Sequence, residues 1–480
     1  MLDKNIMSSF GWKFLERIGT QIINLAVQIV LARLIAPEEF GSLAVLIVFV
    51  NVANIFIQKG LTSSIIRKKE IDELDYNTAF LASEFMALIL YIIIYFIAPF
   101  IAFKYKSIVL IKGLRIFSIQ LFFGALYCIQ NAILIREMKF KVIFIRGIIS
   151  SIIAGTIGII MAYLNFGLWA LVVQTLLTQI LYCVTAWHSI SWKPKLSFSF
   201  ERLKEILNFG GKILLSELLN YSVEGIKSLI IGKNYSTEAL SYYDRGQIYP
   251  ATLMRGIYDT IGGVLLPAFS KQQSDDEILS ESVILSISLT MFLTTPIFIG
   301  MAVIAKPLTI ILLTDKWIKS VPFFIIFCIY WIPYPVQGIC KNGIYAKGNS
   351  SIILKIEIIK IIISLIALII SLKIGILAIA ISSIIIMFLV SILYAIALKN
   401  IIGISLVSVF NSIIKSLISS SIMGIVVINL NLLGINIIFR MLIQIIIGIT
   451  IYLLCSLIFK DKNLNILLSL IKNKMLKNIN

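Results

Sequence analysis

The stretch LLSELLNYSVEGIKSLIIG, residues 214–232, is apolar enough to cross a membrane, yet it carries three ionisable side chains and an amide. Glu217, Asn220, Glu224 and Lys227 follow one another at spacings of three, four and three residues. Successive residues of an α-helix turn by about 100°, so these four side chains fall within about 80° of one another on one face. The carboxylates of this stripe could bind a proton or Na⁺.

Three other apolar segments carry similar polar stripes. They consist of Lys13, Arg17, Thr20, Asn24 and Gln28; of Asn51, Asn54, Gln58 and Lys59; and of Arg255 and Asp259. A charged residue at the centre of a bilayer costs roughly 2.5–3.5 kcal/mol on the insertion scale, so each stripe needs a reason. Polar side chains can hold helices together, or they can line a hydrated cavity. Because four segments share the pattern, we expect one polar cavity at the middle of the membrane.

The composition places these segments in a polytopic α-helical membrane protein. The chain has 480 residues, of which 59% are hydrophobic and only 14% are charged. A soluble protein of this length has too much surface for so few charges. The net charge of +18 could suggest nucleic acid, but the basic residues are dispersed between apolar segments instead of clustering on one face. We therefore expect no nucleic-acid partner.

The hydropathy pattern predicts fourteen membrane spans. They are 11–34, 41–62, 79–103, 113–134, 143–164, 167–187, 209–232, 246–269, 282–305, 320–346, 352–372, 374–398, 408–428 and 434–459. With the N-terminus inside, the connections on the cytoplasmic side hold 19 Lys and Arg residues and those on the other side hold 10. This bias predicts that both termini are cytoplasmic. Residues 197–212 read as an amphipathic helix along the cytoplasmic interface that leads into span 7.

A weak internal repeat suggests how the spans are grouped. A shift of 199 residues aligns the F-G-x-K motif at Phe10 with that at Phe209, and Glu39 with Glu238. Transporters are often built from duplicated halves. We therefore expect a six-helix lobe at 1–187, an interfacial linker at 188–208, a second six-helix lobe at 209–398, and two extra spans with a cytoplasmic tail at 399–480. The four stripes would then face one another between the lobes.

Motifs for enzyme chemistry are missing. The five cysteines stand alone in apolar stretches and predict neither disulfides nor a zinc site. We interpret the single histidine, His188, as a residue at the membrane interface, and the acidic run at 275–277 as part of a solvated loop. Neither a P-loop nor a Ser/His/Asp set is present, so we expect a protein that is not an enzyme.

Two segments resemble a known family. The first, 11–80, contains W-x-x-x-E-R, L-A-R-L-x-x-P-E-x-F-G and D-Y-N-T-A-F, and the second, 239–277, contains Y-Y-D-R-G and L-P-A-F-S. These motifs resemble Wzx-type polysaccharide and O-antigen flippases, in the polysaccharide exporter branch of the multidrug/oligosaccharidyl-lipid/polysaccharide superfamily. Within that branch they are similar to colanic-acid and teichuronic-acid exporters. The similarity covers spans 1–8 well and the remainder by hydropathy alone.

The resemblance implies a transporter that flips undecaprenyl-pyrophosphate-linked oligosaccharides from the inner to the outer leaflet of the bacterial plasma membrane. It implies a V-shaped fold of two lobes, as in MATE transporters, that open alternately. Arg17 and Arg255, with Lys13 and Lys59, would then meet the pyrophosphate. The amides of Asn24, Gln28, Asn51, Asn54 and Asn220 would bind sugars. Glu217, Glu224 and Asp259 could bind a driving H⁺ or Na⁺, and no other cofactor is expected.

The expected partners are the lipid-linked oligosaccharide and membrane lipids, with polysaccharide polymerase and chain-length machinery as further candidates. Several alternatives stay open at this stage. A multidrug or lipid II exporter of the same superfamily would share the fold, although a multidrug exporter would favour an aromatic, Met-rich cavity. A membrane repeat-unit polymerase belongs to a different class, and the short connections argue against it.

Overall fold

The computed structural model describes residues 4–68, 70–432, 434–466 and 469. At some helical positions, including Lys13, Arg17, Asn220 and Asp259, the side chains lie outside the described part. The described residues form helices and turns without any strand. The prediction of an all-α membrane protein is confirmed.

The helices occur in the order in which the spans were predicted. They are α1 (Lys4–Leu34), α2 (Pro37–Asn54), α3 (Gly60–Arg67), α4 (Glu73–Tyr105), α5 (Val109–Phe117), α6 (Gln120–Arg136), α7 (Phe140–Tyr163), α8 (Leu168–Ser189), α9 (Phe200–Asn234), α10 (Thr237–Lys271), α11 (Asp276–Val303), α12 (Ala305–Leu313), α13 (Val321–Trp331), α14 (Tyr334–Ala346), α15 (Ser350–Leu372), α16 (Ile376–Ile402), α17 (Leu406–Asn429) and α18 (Ile437–Ile458). A π-helical turn, Ile55–Lys59, joins α2 to α3.

Ten helical segments of the described chain are long and apolar enough to cross a membrane. Over the described residues, helices α9, α10 and α15 are not in this apolar set, and the described part of α1 contributes the shorter apolar stretch Gly19–Leu34. These four helices carry charged residues within otherwise apolar sequence. Together with the ten apolar segments they agree with the fourteen predicted spans. In the predicted spans, these four helices each contain two to four charged residues, whereas each of the other ten spans contains at most one.

The helix contacts divide the chain into two compact units, Met1–Ser241 and Tyr242–Asn480. In the first unit α1 packs along α7, and α9 packs against α2, α3 and α4. The second unit is built around α11, α13, α14 and α16, with α17 beside α11. By its contacts α9 therefore belongs with the first unit, although the predicted second lobe begins at residue 209. The six-plus-six division into lobes stays a prediction.

Local sequence explains where the key helices begin. Asp72 caps α4 by accepting from the Asp75 backbone N–H at 2.8 Å, and the Asp75 side chain accepts from the Asp72 N–H at 3.2 Å, which completes a capping box. Ser199 caps α9 by accepting from the Arg202 N–H. Helix α9 then continues to Asn234, so the expected interfacial helix and span 7 form one continuous helix.

The connection between the first two helices has the same length as the connection between α9 and α10. Helix α1 ends at Leu34 and α2 begins at Pro37, while α9 ends at Asn234 and α10 begins at Thr237. Each pair is therefore joined by a connection of two residues. This correspondence supports the internal repeat that the shift of 199 residues suggested.

Small residues bring helices of the first unit close together. A Cβ added at Gly147 of α7 would lie 2.7 Å from the Thr20 side chain of α1. A Cβ added at Gly210 of α9 would collide with the Gly60 carbonyl oxygen of α3 and lie 2.7 Å from Ser64 Oγ. Small residues at such crossings are typical of helix packing in membranes, where close approach supplies the contact energy.

Candidate functional site

Four of the predicted site residues have no described side chains. Lys13 and Arg17 lie on α1, Asn220 on α9 and Asp259 on α10, but their side chains fall outside the described residues. The roles assigned to these four residues stay predictions.

The remaining cationic candidates are exposed. Lys59 lies at the end of the π-helical turn and Arg255 in the middle of α10, in different units of the chain. Asn24 is exposed on α1 and Gln28 is partly buried one turn later. On the predicted stripe of α9, Glu217 is partly buried and Glu224 is exposed. These side chains are therefore accessible to a solute or to lipid.

The amide stripe of α2 makes contacts within the first unit. Asn51 Nδ2 donates to the hydroxyl oxygen of Tyr221 on α9 at 3.2 Å. Gln58 Nε2 donates to Asn54 Oδ1 at 3.3 Å, and both side chains lie against Gly124 of α6, where an added Cβ would be 2.8 Å from Gln58 Nε2. These amides thus link α2 to α9 and α6, and sugar binding by them stays a prediction.

A cluster of charged side chains in the second unit was missed by the sequence reasoning. The Glu357 carboxylate of α15 pairs with Lys341 of α14 at 3.1 Å and with Lys360 at 3.4 Å. Tyr394 of α16 donates its hydroxyl proton to the same carboxylate at 2.9 Å. We call Lys341, Glu357, Lys360 and Tyr394 the α15 ion cluster. It holds two positive charges against one negative charge.

The α15 ion cluster lies well inside its helix. Lys360 is ten residues from the start of α15 at Ser350, which corresponds to about 15 Å along the axis and about half of a 30 Å hydrocarbon core. The Glu357 side chain is 16% exposed, whereas those of Lys341 and Lys360 are 32% and 36% exposed. The two ammonium groups are therefore more accessible than the carboxylate that neutralises one of them. An accessible net positive charge at this depth can bind an anion.

Aromatic and amide side chains occur near Lys341 in the chain. The ring of Tyr258 on α10 lies 5.0 Å from that of Tyr334, which in turn lies 4.8 Å from the Trp331 ring. Asn342 Nδ2, one residue after Lys341, donates to the Tyr258 hydroxyl oxygen at 3.1 Å. Aromatic faces with polar edges suit the apolar and hydroxylated faces of sugars. The K-x-E-x-x-K pattern at 355–360 is the sequence signal that could have pointed to this region.

A second charged group, at the ends of α3 and α9, fixes α9 to the first unit. Lys68 pairs with Asp75 at 2.7 Å and with Glu205 at 3.1 Å, while Arg202 pairs with Asp72 at 3.1 Å. We call these five residues the α9 clasp. A bond from the Asp75 backbone N–H, together with the Arg202 charge, lowers the pKa of Asp72 below its ordinary value. Burial opposes the charge of Lys68, but its bonds to Asp75 and Glu205 outweigh this and raise its pKa.

Metal ligands are not grouped in the described part of the chain: no set of three or more His, Cys, Asp or Glu side chains there could hold a metal ion. The arrangement instead offers cations, amides and aromatic rings within membrane-spanning helices. Such a set can bind and release a polar, anionic solute without changing its covalent structure.

Comparisons with known proteins agree with this chemistry. Residues 30–322 match the family model described as "Polysaccharide biosynthesis protein". The chain is 23% identical over 319 residues to the succinoglycan biosynthesis transport protein ExoT of Rhizobium meliloti (strain 1021), and this match covers 66% of this chain and 65% of that protein. It is 21% identical to the teichuronic acid biosynthesis protein TuaB of Bacillus subtilis (strain 168), with 73% of each chain covered.

Solved structures share the fold. The lipid II flippase MurJ in an inward closed conformation matches with a TM-score of 0.75 and 18% identity, covering 92% of this chain and 97% of its own. An inward-facing multidrug resistance MATE family transporter matches with a TM-score of 0.63 and 16% identity, covering 81% and 98%. The superfamily fold predicted from the motifs is therefore confirmed. Because the family model covers more than half of its length, the chain belongs to the polysaccharide biosynthesis protein family.

Proposed function

We propose that this protein flips lipid-linked oligosaccharides across the bacterial plasma membrane during polysaccharide biosynthesis. The substrate is an oligosaccharide repeat unit on undecaprenyl pyrophosphate, and transport proceeds by alternating access with both termini in the cytoplasm. The names of two relatives support this proposal, since ExoT is described as a succinoglycan biosynthesis transport protein and TuaB as a teichuronic acid biosynthesis protein. Polysaccharide polymerase and chain-length machinery are the proposed partners.

The observation that carries the proposal is the net positive α15 ion cluster inside a membrane-spanning helix. A pyrophosphate-linked sugar cannot cross hydrocarbon unaided, because its charge and hydroxyl groups would lose their hydration. Lys341 and Lys360 can replace that hydration by charge-assisted hydrogen bonds to phosphate oxygens. Their partial exposure leaves them accessible to a solute, and Glu357 pairs with both of them in the structure without a substrate.

The stripes predicted from the sequence complete this proposal. Arg17 and Arg255, with Lys13 and Lys59, bind the pyrophosphate in addition to the lysines of the α15 ion cluster. The side-chain amides of Asn24, Gln28, Asn51, Asn54 and Asn220 bind sugar hydroxyls, and the polyprenyl tail stays in lipid. Glu217, Glu224 and Asp259 remain candidates for binding H⁺ or Na⁺ that drives the return of the empty protein.

The test replaces Lys341 and Lys360 together by Met in a strain whose only copy of the gene is the plasmid-borne variant. The expected result is loss of surface polysaccharide and accumulation of lipid-linked repeat units, with a normal amount of the protein in the membrane. The matched control is Lys355→Met, which removes an exposed lysine from the same helix without touching the cluster. Normal polymer from the double variant would overturn the role of the cluster. Normal polymer in a strain without the gene would overturn the function itself.

A further inference from the structure

A cavity between the ends of α3 and α9 has no role in the assignments above. Its volume is about 350 Å³, and it lies beside the α9 clasp in the first unit. We call it the α3–α9 cavity, and it is lined by Ser64, Arg67, Lys68, Glu205, Ile206 and Phe209. The lining combines charged and apolar side chains. Ligand sites in proteins usually enclose about 300–1,000 Å³, so this cavity is large enough for a small headgroup.

Arg67 supplies the positive charge of this cavity that no carboxylate neutralises within the described residues. Its guanidinium carbon lies 4.0 Å from the centroid of the Phe209 ring. Lys68, by contrast, is paired with both Asp75 and Glu205. A guanidinium group that stacks on an aromatic ring is held in place, and its N–H groups stay available. The exposed Arg67 can therefore donate two parallel hydrogen bonds to a phosphate group.

Contacts next to the cavity hold α3 and α9 at a fixed separation. Ser64 Oγ of α3 donates to the Ile206 carbonyl oxygen of α9 at 2.8 Å. About one turn further along, the Gly60 carbonyl oxygen leaves no room for a Cβ at Gly210. The α9 clasp also joins the same two helices. The cavity is thus formed before a ligand arrives, which lowers the entropy cost of binding.

The α3–α9 cavity lies where these helices leave the membrane. Arg67 is the last residue of the membrane-spanning segment Pro37–Arg67, and the first two turns of α9 are rich in charged residues. The chain that leads into α9 nevertheless exposes Leu196 (95%) and Phe200 (80%). Large apolar side chains beside charged ones are typical of a segment that lies in the headgroup region of a bilayer. Arg67 is therefore placed at the level of the lipid phosphates.

We propose that the α3–α9 cavity binds the headgroup of an anionic phospholipid of the bilayer, with Arg67 holding its phosphate. Ile206 and Phe209 suit the glycerol and the first acyl carbons, which a free phosphate ion lacks. A phosphocholine headgroup carries its own cation, which Arg67 would repel. With the orientation predicted from the sequence, the lipid belongs to the cytoplasmic leaflet. It would bridge α3 and α9 beside the α9 clasp and so stabilise their contact.

The experiment titrates the purified full-length protein in a neutral detergent with phosphatidylglycerol and counts the bound lipids by native mass spectrometry. The wild type should bind its first phosphatidylglycerol more tightly than it binds phosphatidylcholine. Arg67→Gln should weaken this binding about tenfold, because it removes a charge-assisted contact with phosphate. Lys204→Gln is the matched control, since it removes an exposed positive charge of α9 outside the cavity, and it should bind as the wild type does.

A second variant and a second measurement support the titration. Phe209→Leu keeps an apolar side chain but removes the ring that holds Arg67, and it should weaken binding about threefold. It takes the place of Arg67→Gln if that variant is not monodisperse. Phosphatidylglycerol should also raise the melting temperature of the wild type and of Lys204→Gln more than that of Arg67→Gln, because a ligand stabilises the state that binds it.

Four results would overturn the proposal. They are equal phosphatidylglycerol affinities of Arg67→Gln and Lys204→Gln, equally tight binding of phosphatidylcholine, and displacement of the lipid by inorganic phosphate, which would identify a site for a free anion. The fourth is tighter binding of undecaprenyl phosphate than of phosphatidylglycerol, which would assign the cavity to the transported lipid carrier. Because binding is measured without transport, each of these results leaves the proposed function to be judged by its own test.

Discussion

The α15 ion cluster allows the energetics of charge inside this membrane protein to be measured. Replacing Glu357 by Gln keeps the shape of the side chain but removes the negative charge between Lys341 and Lys360. The carboxylate has three partners, at 2.9, 3.1 and 3.4 Å. Hydrogen bonds to a buried charged group contribute about 1.5–3 kcal/mol each. Because both lysines are about one-third exposed, we expect Glu357→Gln to lower the free energy of unfolding by about 3 kcal/mol. This value lies at the lower end of the cost of breaking a buried ion pair.

A loss of this size should be visible as a change in melting temperature. At about 3 °C per kcal/mol for a unit of this size, Glu357→Gln should lower Tm by about 9 °C. The intrinsic tryptophan fluorescence of the purified protein reports Tm during heating. Lys341→Met should also lower the free energy of unfolding. The double variant Lys341→Met with Glu357→Gln should lose less free energy of unfolding than the two single variants lose together. The expected coupling energy is about 1–2 kcal/mol, as found for residues in one ion-pair network.

The reasoning is refuted by two results. If Glu357→Gln melts within about 1 °C of Lys355→Met, the ion pairs contribute no more than an exposed lysine of the same helix. If the two single losses simply add in the double variant, Lys341 and Glu357 do not interact. Either result would leave the accessible lysines without the counter-charge on which their proposed role depends.

Two further predictions concern the attachment of α9 to the first unit. Gly210→Ala should lower the free energy of unfolding by about 1–3 kcal/mol, because the new methyl group collides with the Gly60 carbonyl oxygen. A methyl group added at Gly211 has nothing within 4 Å, so Gly211→Ala should leave the stability nearly unchanged. Equal melting temperatures for the two variants would contradict the close crossing of α3 and α9. The lowered pKa of Asp72 means that its contribution to stability is present above its unfolded value, near 3.8, and is lost as pH falls through the lower folded value. Asp72→Asn should therefore be less stable than the wild type at neutral pH, and this difference should shrink as pH falls below about 3.8; a difference that grows in acid would contradict the assignment.

Hydropathy was a sufficient guide to the fold of this chain. All fourteen spans are helical at the predicted places, because satisfying every backbone hydrogen bond in lipid leaves few alternatives to a helix. Boundaries were less predictable where amphipathic sequence adjoins apolar sequence. Residues 200–208 continue into α9 without a break, since Ser199 provides the cap and no residue before Asn234 interrupts the helix.

Side-chain partners were harder to predict than helices. Periodicity predicted that Asn51, Asn54 and Gln58 share one face, and all three lie in the continuous helical segment Pro37–Arg67. It could not show that Asn51 contacts Tyr221, which lies 170 residues later. The same limit applies to Arg146, a single charge on its span, whose Nη2 donates to Asn131 Oδ1 on the preceding helix. Only the packing of α6 against α7 brings these two side chains together.

The charges in α1, α9, α10 and α15 also constrain how the chain is made. A segment leaves the translocon for lipid when its apolar side chains outweigh its charges, and these four helices carry two to four charged residues in their predicted spans, against at most one in each other span. Because α9 and α10 are consecutive, two poorly inserting helices leave the ribosome one after the other. Their insertion then depends on helices already present, and α9 finds its partners α2, α3 and α4 among those synthesised first. The helices α2, α3 and α4 are therefore already synthesised when α9 inserts, and α9 can pack against them.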